Sequence, residues 1–174
     1  MPTYYINEHL LSSKVRTVIK DETGKPVFLL VGKWGTKGDV ISIFNLEGAL
    51  LANVKQTSFT IQSKFELYQS YEKVGTLTRI FSFTKDFYWV KGLRWVVVGD
   101  ISNQTYRIYR LNKEVMRMRK RRLSQRDMCE IVVTDASDAP LCLCIASILD
   151  YWVKKDNKEK ALLVGNEIQP DFPI

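Results

Sequence analysis

The chain of 174 residues is the length of one domain, with 45% hydrophobic and 26% charged residues. This composition is that of a globular protein, and it excludes a disordered, collagen-like or linker-like chain. The 26 basic residues exceed the 19 acidic ones, which gives a net charge of +7.

Short β-branched or aromatic runs, separated by polar turns, follow one another from the N-terminus to Val133. Asp21 opens a turn that ends at Gly24, and Asn45 opens a turn that ends at Gly48. Glycine supplies the positive φ that such turns need, so the runs on either side of each turn predict a β-hairpin. The later runs are degenerate copies of the same pattern, which favours a meander of hairpins over a solenoid.

Apolar residues also alternate with other residues along the stretch of residues 81–100. Alternation places Phe87 and Trp89 on one face of a strand, and we predict that they belong to the core, as do Trp95 and Val97. Basic residues are interleaved with these aromatics, a pattern that single-strand nucleic-acid binders also have. No nucleic-acid-binding motif accompanies it, which favours the core interpretation.

A different pattern follows, because residues 141–153 are apolar except for Ser147 and Asp150. This length fits a helix, with Asp138 as its cap and Pro140 in its first turn. A helix that is apolar on all sides must be buried on all sides. The Asp150 carboxylate must then be hydrogen-bonded or lie near the rim of the fold, and we interpret it as structural.

The strands and the helix predict one architecture together. About 134 residues of strand and turn, at about 11 residues for each strand with its turn, make roughly 12 strands. A barrel of that width is not filled by its own side chains, whereas a buried helix would fill it. We therefore predict a mainly β fold, a closed antiparallel barrel of about 12 strands around a central hydrophobic C-terminal helix. The single domain spans residues 1–157 with the helix near 139–154, and residues 158–174 form a surface tail.

Four features form one pattern: the Asp-x-x-Gly and Asn-x-x-Gly turns, the opening Tyr4–Glu8, a late basic strand, and the closing segment from Cys129 to Trp152. They resemble the LURP-one-related family over about residues 4–155. This family belongs to the tubby-like C-terminal superfamily, with the phospholipid scramblases as further relatives. The resemblance implies a closed barrel around a central hydrophobic helix. Tubby proteins bind phosphoinositide head groups through basic surface residues, and the resemblance assigns none of their contact residues to a position in this chain.

Nearly all of the excess positive charge lies in one segment. Residues 113–126 hold seven basic side chains and one acidic one, and the rest of the chain holds 19 basic and 18 acidic. On a strand, Arg117, Arg119 and Arg121 point to one face and the intervening methionines to the other. Three guanidinium groups at this spacing can each bind a phosphate through two hydrogen bonds.

The basic segment therefore predicts an anionic ligand, with phosphoinositide or acidic-lipid head groups first. Two alternatives stay open. The segment can be the solvated outer face of a structural or protein-interaction module that meets an acidic protein, or it can bind nucleic acid. The sequence does not give the oligomeric state. The predicted contacts are Arg117, Arg119, Lys120, Arg121, Arg122 and Arg126.

The sequence contains no motif that is typical of a catalytic, metal or cofactor site. The one histidine, His9, has no patterned partner for a nucleophile or a zinc ion. The loop at residues 134–139 has two carboxylates, fewer than a calcium loop needs, and fits a turn with a helix cap better. The glycines at residues 32–38 precede a strand-like run, whereas a phosphate loop opens a helix. We predict a non-enzymatic protein without a metal or cofactor.

The expected compartment is the cytoplasm, with peripheral membrane attachment left open. The odd number of cysteines, Cys129, Cys142 and Cys144, favours free thiols over a disulfide framework. The sequence opens without the basic and apolar regions of a signal peptide. Its longest apolar stretch, residues 141–149, is shorter than the roughly 20 residues of a membrane-spanning helix, so we expect a soluble protein.

Overall fold

The computed structural model describes residues 1–7, 14–33, 36–58, 64–80, 86–100, 105–123, 126–149 and 162. Twelve antiparallel strands follow one another round a closed barrel, in which β1 pairs with both β2 and β12. The predicted mainly β barrel is therefore confirmed. The strands are β1 (Thr3–Asn7), β2 (Lys14–Asp21), β3 (Pro26–Lys33), β4 (Val40–Phe44), β5 (Leu50–Gln56), β6 (Lys64–Gln69), β7 (Glu72–Ile80), β8 (Asp86–Lys91), β9 (Trp95–Asp100), β10 (Thr105–Arg110), β11 (Lys113–Leu123) and β12 (Arg126–Val133).

The two predicted turn motifs form hairpins through the bonds that their sequences favour. The Asp21 carboxylate accepts hydrogen bonds from the backbone N–H groups of Thr23 and Lys25, at 2.9 and 3.0 Å. The Asn45 side chain accepts one from the backbone N–H of Ala49 at 2.7 Å. The glycines that close the two turns have φ values of 82° and 87°. These are left-handed conformations, which glycine adopts at little cost.

Residues 139–149 form the helix, α1, and every one of them is buried. They belong to one hydrophobic cluster with the inward-facing residues of the strands. The helix therefore lies inside the barrel, as its apolar sequence predicted. Its serine is satisfied locally, because the Ser147 hydroxyl donates to the carbonyl oxygen of Leu143 at 2.9 Å.

The cap before the helix differs from the prediction. A short 3-10 turn, Ala136–Asp138, leads directly into α1. Its cap is Asp135, whose carboxylate accepts hydrogen bonds from the backbone N–H and the hydroxyl of Ser137, both at 2.9 Å. Asp138 lies inside the turn instead, and partial burial raises the pKa of its carboxyl group. The extra turn moves the capping position three residues towards the N-terminus.

Strand β8 shows a second difference, because the prediction for its aromatic residues was wrong. Tyr88 and Val90 point into the core, whereas Trp89 is 39% exposed and Phe87 is only partly buried. Trp95 and Val97, on β9, are fully buried as predicted. All of Phe87 to Val90 are apolar or aromatic, so their alternation carries no signal for which face is inside.

Several predictions concern parts of the chain outside the described residues. These are His9, Asp150, the continuation of the helix to residue 154 and the tail at residues 158–174, of which only Leu162 is described. All three cysteines are described, and each is a buried free thiol. Within the described residues, no helix has the length and apolar character that crossing a membrane requires.

Candidate anion-binding site

Strand β11 presents its charges as the alternation predicted. Met116 and Met118 are buried in the barrel, and Arg117, Arg119 and Arg121 are exposed on the outer wall. At 11 residues, β11 is long enough to carry the three arginines in a row between its neighbours β10 and β12.

A buried carboxylate on the next strand holds two of these arginines. Arg119 Nε donates to Glu130 Oε2 at 2.5 Å, and Arg121 Nε donates to the same oxygen at 2.6 Å. The Nη2 atom of each arginine donates to Glu130 Oε1 at 3.2 Å. Both guanidinium groups therefore bind one carboxylate with two hydrogen bonds each, a geometry that fixes their planes. We call these three residues the Arg–Glu–Arg triad.

Strand register explains why the triad forms. Arg119 lies directly opposite Glu130 in the β11–β12 pair, and Arg121 lies diagonally next to it. Only 5% of Glu130 is exposed, but about half of each arginine side chain is. Hydrogen bonds from Arg119 and Arg121 lower the pKa of the Glu130 carboxyl from 4.5 to about 2. The triad therefore has one net positive charge at neutral pH.

The lowered pKa predicts acid sensitivity. Because the folded-state pKa lies below the unfolded one, the triad's contribution to stability is complete above about pH 4.5 and is lost as pH falls towards about 2. The Glu130→Gln variant has no titratable carboxyl group at this position. We expect its free energy of unfolding to fall less steeply with acidity in this window, by up to about 1.4 kcal/mol per pH unit. Urea titrations at several pH values measure how the free energy of unfolding of the wild type and of the variant depends on pH. An equal dependence in the two proteins would contradict the expectation.

A second carboxylate pairs with the remaining arginine of the row. Glu114 Oε1 lies 3.8 Å from Arg117 Nε, and its Oε2 lies 3.6 Å from Arg107 Nη1 on β10. Arg107 and Arg117 are also opposite each other in the β10–β11 pair. The outer wall here thus carries four arginines against two glutamates. We call these four, Arg107, Arg117, Arg119 and Arg121, the arginine patch.

Between these side chains lies an open pocket of about 210 Å³. The charged side chains of Arg107, Arg117, Arg119 and Glu130 line it, together with the hydroxyl-bearing Thr105. The guanidinium N–H groups not used by the glutamates and a hydroxyl are the donors that phosphate oxygens accept. The arrangement can therefore bind a phosphate or another oxyanion.

The other predicted contacts lie elsewhere. Lys120 lies on the same face of the strand as the methionines, largely buried, with its Nζ 3.2 Å from Asp127 Oδ2. Arg122 is exposed and lies two residues beyond Lys120, on the same face of β11. Arg126 begins β12, and its side chain is outside the described residues. Among the described residues, no group of histidines, cysteines and carboxylates could hold a metal ion.

The sequence prediction missed Glu130, Glu114 and Arg107. Glu130 had a readable signal, because it is the one charged residue in the apolar run of residues 128–133. The pairing of Leu123 with Arg126 sets the register that brings Glu130 opposite Arg119. Arg107 and Glu114 required the observed bulge between Ile108 and Tyr109, which the sequence does not indicate.

Comparisons with known proteins place the chain in a family. The sequence profile of the LURP-one-related family matches residues 2–150, which cover the whole barrel and the described part of the helix. Searches of curated proteins and of solved structures gave no significant match. The family profile agrees with the resemblance carried by the hairpin turns and the closing strand and helix. The chain therefore belongs to the LURP-one-related family.

Proposed function

We propose that this barrel is a non-enzymatic cytoplasmic protein that binds anionic head groups, phosphoinositides or acidic lipids, through the arginine patch. The observation that carries the proposal is the Arg–Glu–Arg triad. Glu130 orients two guanidinium groups before any ligand arrives, so less side-chain entropy is lost on binding. About half of each arginine remains exposed and accessible to a phosphate.

The same contacts also support a second candidate, a structural or protein-interaction module without a lipid ligand. Two glutamates neutralise half of the charge of the four arginines, so the wall is less basic than the sequence alone indicates. An ordinary outer wall with surface ion pairs would have this composition. The two candidates differ in whether the exposed guanidinium groups contact an anionic surface.

Vesicle co-sedimentation separates the two candidates. We expect binding to phosphatidylcholine vesicles that contain phosphatidylserine and a phosphoinositide, and none to phosphatidylcholine alone. Binding should weaken from low to physiological salt, since exposed charges are screened. Arg119→Glu/Arg121→Glu should remove it, because each charge near an anionic surface contributes about 1 kcal/mol.

Two controls make this result interpretable. Lys55→Glu/Lys64→Glu changes the charge equally on the outer faces of β5 and β6, and β5 is halfway round the barrel from β11. It should retain binding. Because Arg119→Glu/Arg121→Glu leaves Glu130 buried without its partners, the variant Arg119→Gln/Arg121→Gln/Glu130→Gln removes the whole triad. That variant should fold and bind about fivefold more weakly, since it loses one net positive charge worth about 1 kcal/mol. Equal binding by all variants, or no binding by the wild type, would contradict the proposal.

A further inference from the structure

The barrel wall beside the arginine patch has an exposed apolar surface. Ile80 on β7 and Trp89 on β8 are 52% and 39% exposed. Phe87, Val96 and Val98 are partly buried and point outwards beside them. We call these five residues the apolar strip. An exposed tryptophan and isoleucine beside half-buried apolar side chains, in one contiguous group, are typical of an interaction surface.

Strand register makes this strip continuous with the arginine patch. Ile80 pairs with Phe87, which pairs with Val98. The row continues from Val98 to Arg107 and from there to Arg117. Neighbouring strands are about 4.8 Å apart, so apolar and guanidinium groups form one surface. Lys91, the last residue of β8, adds an exposed cation to this surface. Asp100, the last residue of β9, adds a carboxylate.

We infer that the apolar strip inserts into the interface of an anionic lipid bilayer while the arginine patch binds its head groups. This inference rests on the proposed function and specifies its partner as a membrane surface rather than a free head group. Tryptophan favours the boundary between head groups and acyl chains, and apolar side chains beside cations are typical of proteins that lie in that boundary.

The curvature of the barrel permits both contacts at once. Twelve strands in a closed barrel give a backbone radius of roughly 12 Å. The outermost strands that carry the two groups, β7 and β11, are four places apart in the ring, an angle of about 120°. A membrane plane that touches the wall at β9 is then about 6 Å from either strand at backbone level. Apolar groups at a membrane surface enter about 5–10 Å, so Ile80 and Trp89 reach the apolar boundary while Arg119 reaches the head groups.

Within the described parts of the chain, the other exposed apolar residues do not have this arrangement. Leu46, Tyr71 and Leu111 lie singly at separate hairpin turns. A second apolar row, from Val18 through Leu29 to Phe44, crosses β2, β3 and β4 on the other side of the arginine patch. Strands β12 and β1 lie between it and β11, so β2 and β8 are equally far from β11 in opposite directions. Val18 is 40% exposed and provides a matched control for Ile80.

The test compares Ile80→Ser/Trp89→Ser with Val18→Ser. We expect the double variant to bind vesicles of phosphatidylcholine, phosphatidylserine and a phosphoinositide about tenfold more weakly, since two interfacial side chains are lost. Its affinity for soluble inositol trisphosphate should be unchanged, because the arginine patch is intact. Val18→Ser should match the wild type in both measurements.

A direct readout of insertion uses the fluorescence of Trp89. Brominated phospholipids in the vesicles should quench the wild-type emission, and Trp89→Phe, which keeps an apolar ring, should lose that quenching. Unchanged vesicle binding by Ile80→Ser/Trp89→Ser, or no quenching attributable to Trp89, would overturn the inference and leave head-group binding standing. If the wild type binds neither vesicles nor inositol trisphosphate, the proposed function and this inference both fail.

Discussion

Shortening side chains on opposite sides of α1 is expected to destabilise the protein by similar amounts. Successive residues of a helix are about 100° apart, so Leu143 and Ile145 point to nearly opposite sides. Both are fully buried. An ordinary surface helix would tolerate Leu→Ala or Ile→Ala on one of these sides, whereas a helix inside a barrel has no such side.

We expect Leu143→Ala and Ile145→Ala each to lower the free energy of unfolding by about 2–5 kcal/mol, because each leaves a cavity in a packed interior. Urea unfolding followed by circular dichroism measures the loss. Leu111→Ala is the control, since this leucine is 82% exposed at a hairpin turn, and its cost should be below about 0.5 kcal/mol. A cost as small as this for either helix variant would contradict the central position of α1.

The position of α1 could be predicted from the sequence because its reason is local. Eleven consecutive buried residues require a surround, and the number of preceding strands requires something to fill the barrel. The hairpins of Asp21–Gly24 and Asn45–Gly48 were predictable for the same reason, since both turns lie within a few residues of the chain.

The face of β8 and the ion pairs of the candidate site depend instead on strand register. Tyr88 is placed inside by its pairing with Arg79 and Val97, which come from different parts of the chain. The sequence likewise shows that Glu130 is a charged residue in an apolar run, but only its pairing with Arg119 identifies its partners. The sequence therefore revealed that β11 is basic, but not that two glutamates neutralise half of its arginine patch.

The second large effect is expected at Gly99, on β9 next to the strand that carries Arg107. A Cβ atom on Gly99 would lie 2.3 Å from two ring atoms of Tyr106, its partner across the β9–β10 pair. That ring is buried in the core, where close packing leaves a side chain little room to shift. We expect Gly99→Ala to lower the free energy of unfolding by about 3 kcal/mol, the upper part of the range for overpacked cores.

A double-mutant cycle tests this cause directly. In a Tyr106→Leu background the smaller side chain leaves room for the new methyl group, so Gly99→Ala should cost less than about 1 kcal/mol there. Gly48→Ala is the control for added backbone strain without a clash, because its φ is 87° and nothing lies within 4 Å of its Cβ position. Its cost should be about 1 kcal/mol in either background. Equal costs of Gly99→Ala with and without the Tyr106 ring would show that the clash with this ring is not the cause of the destabilisation.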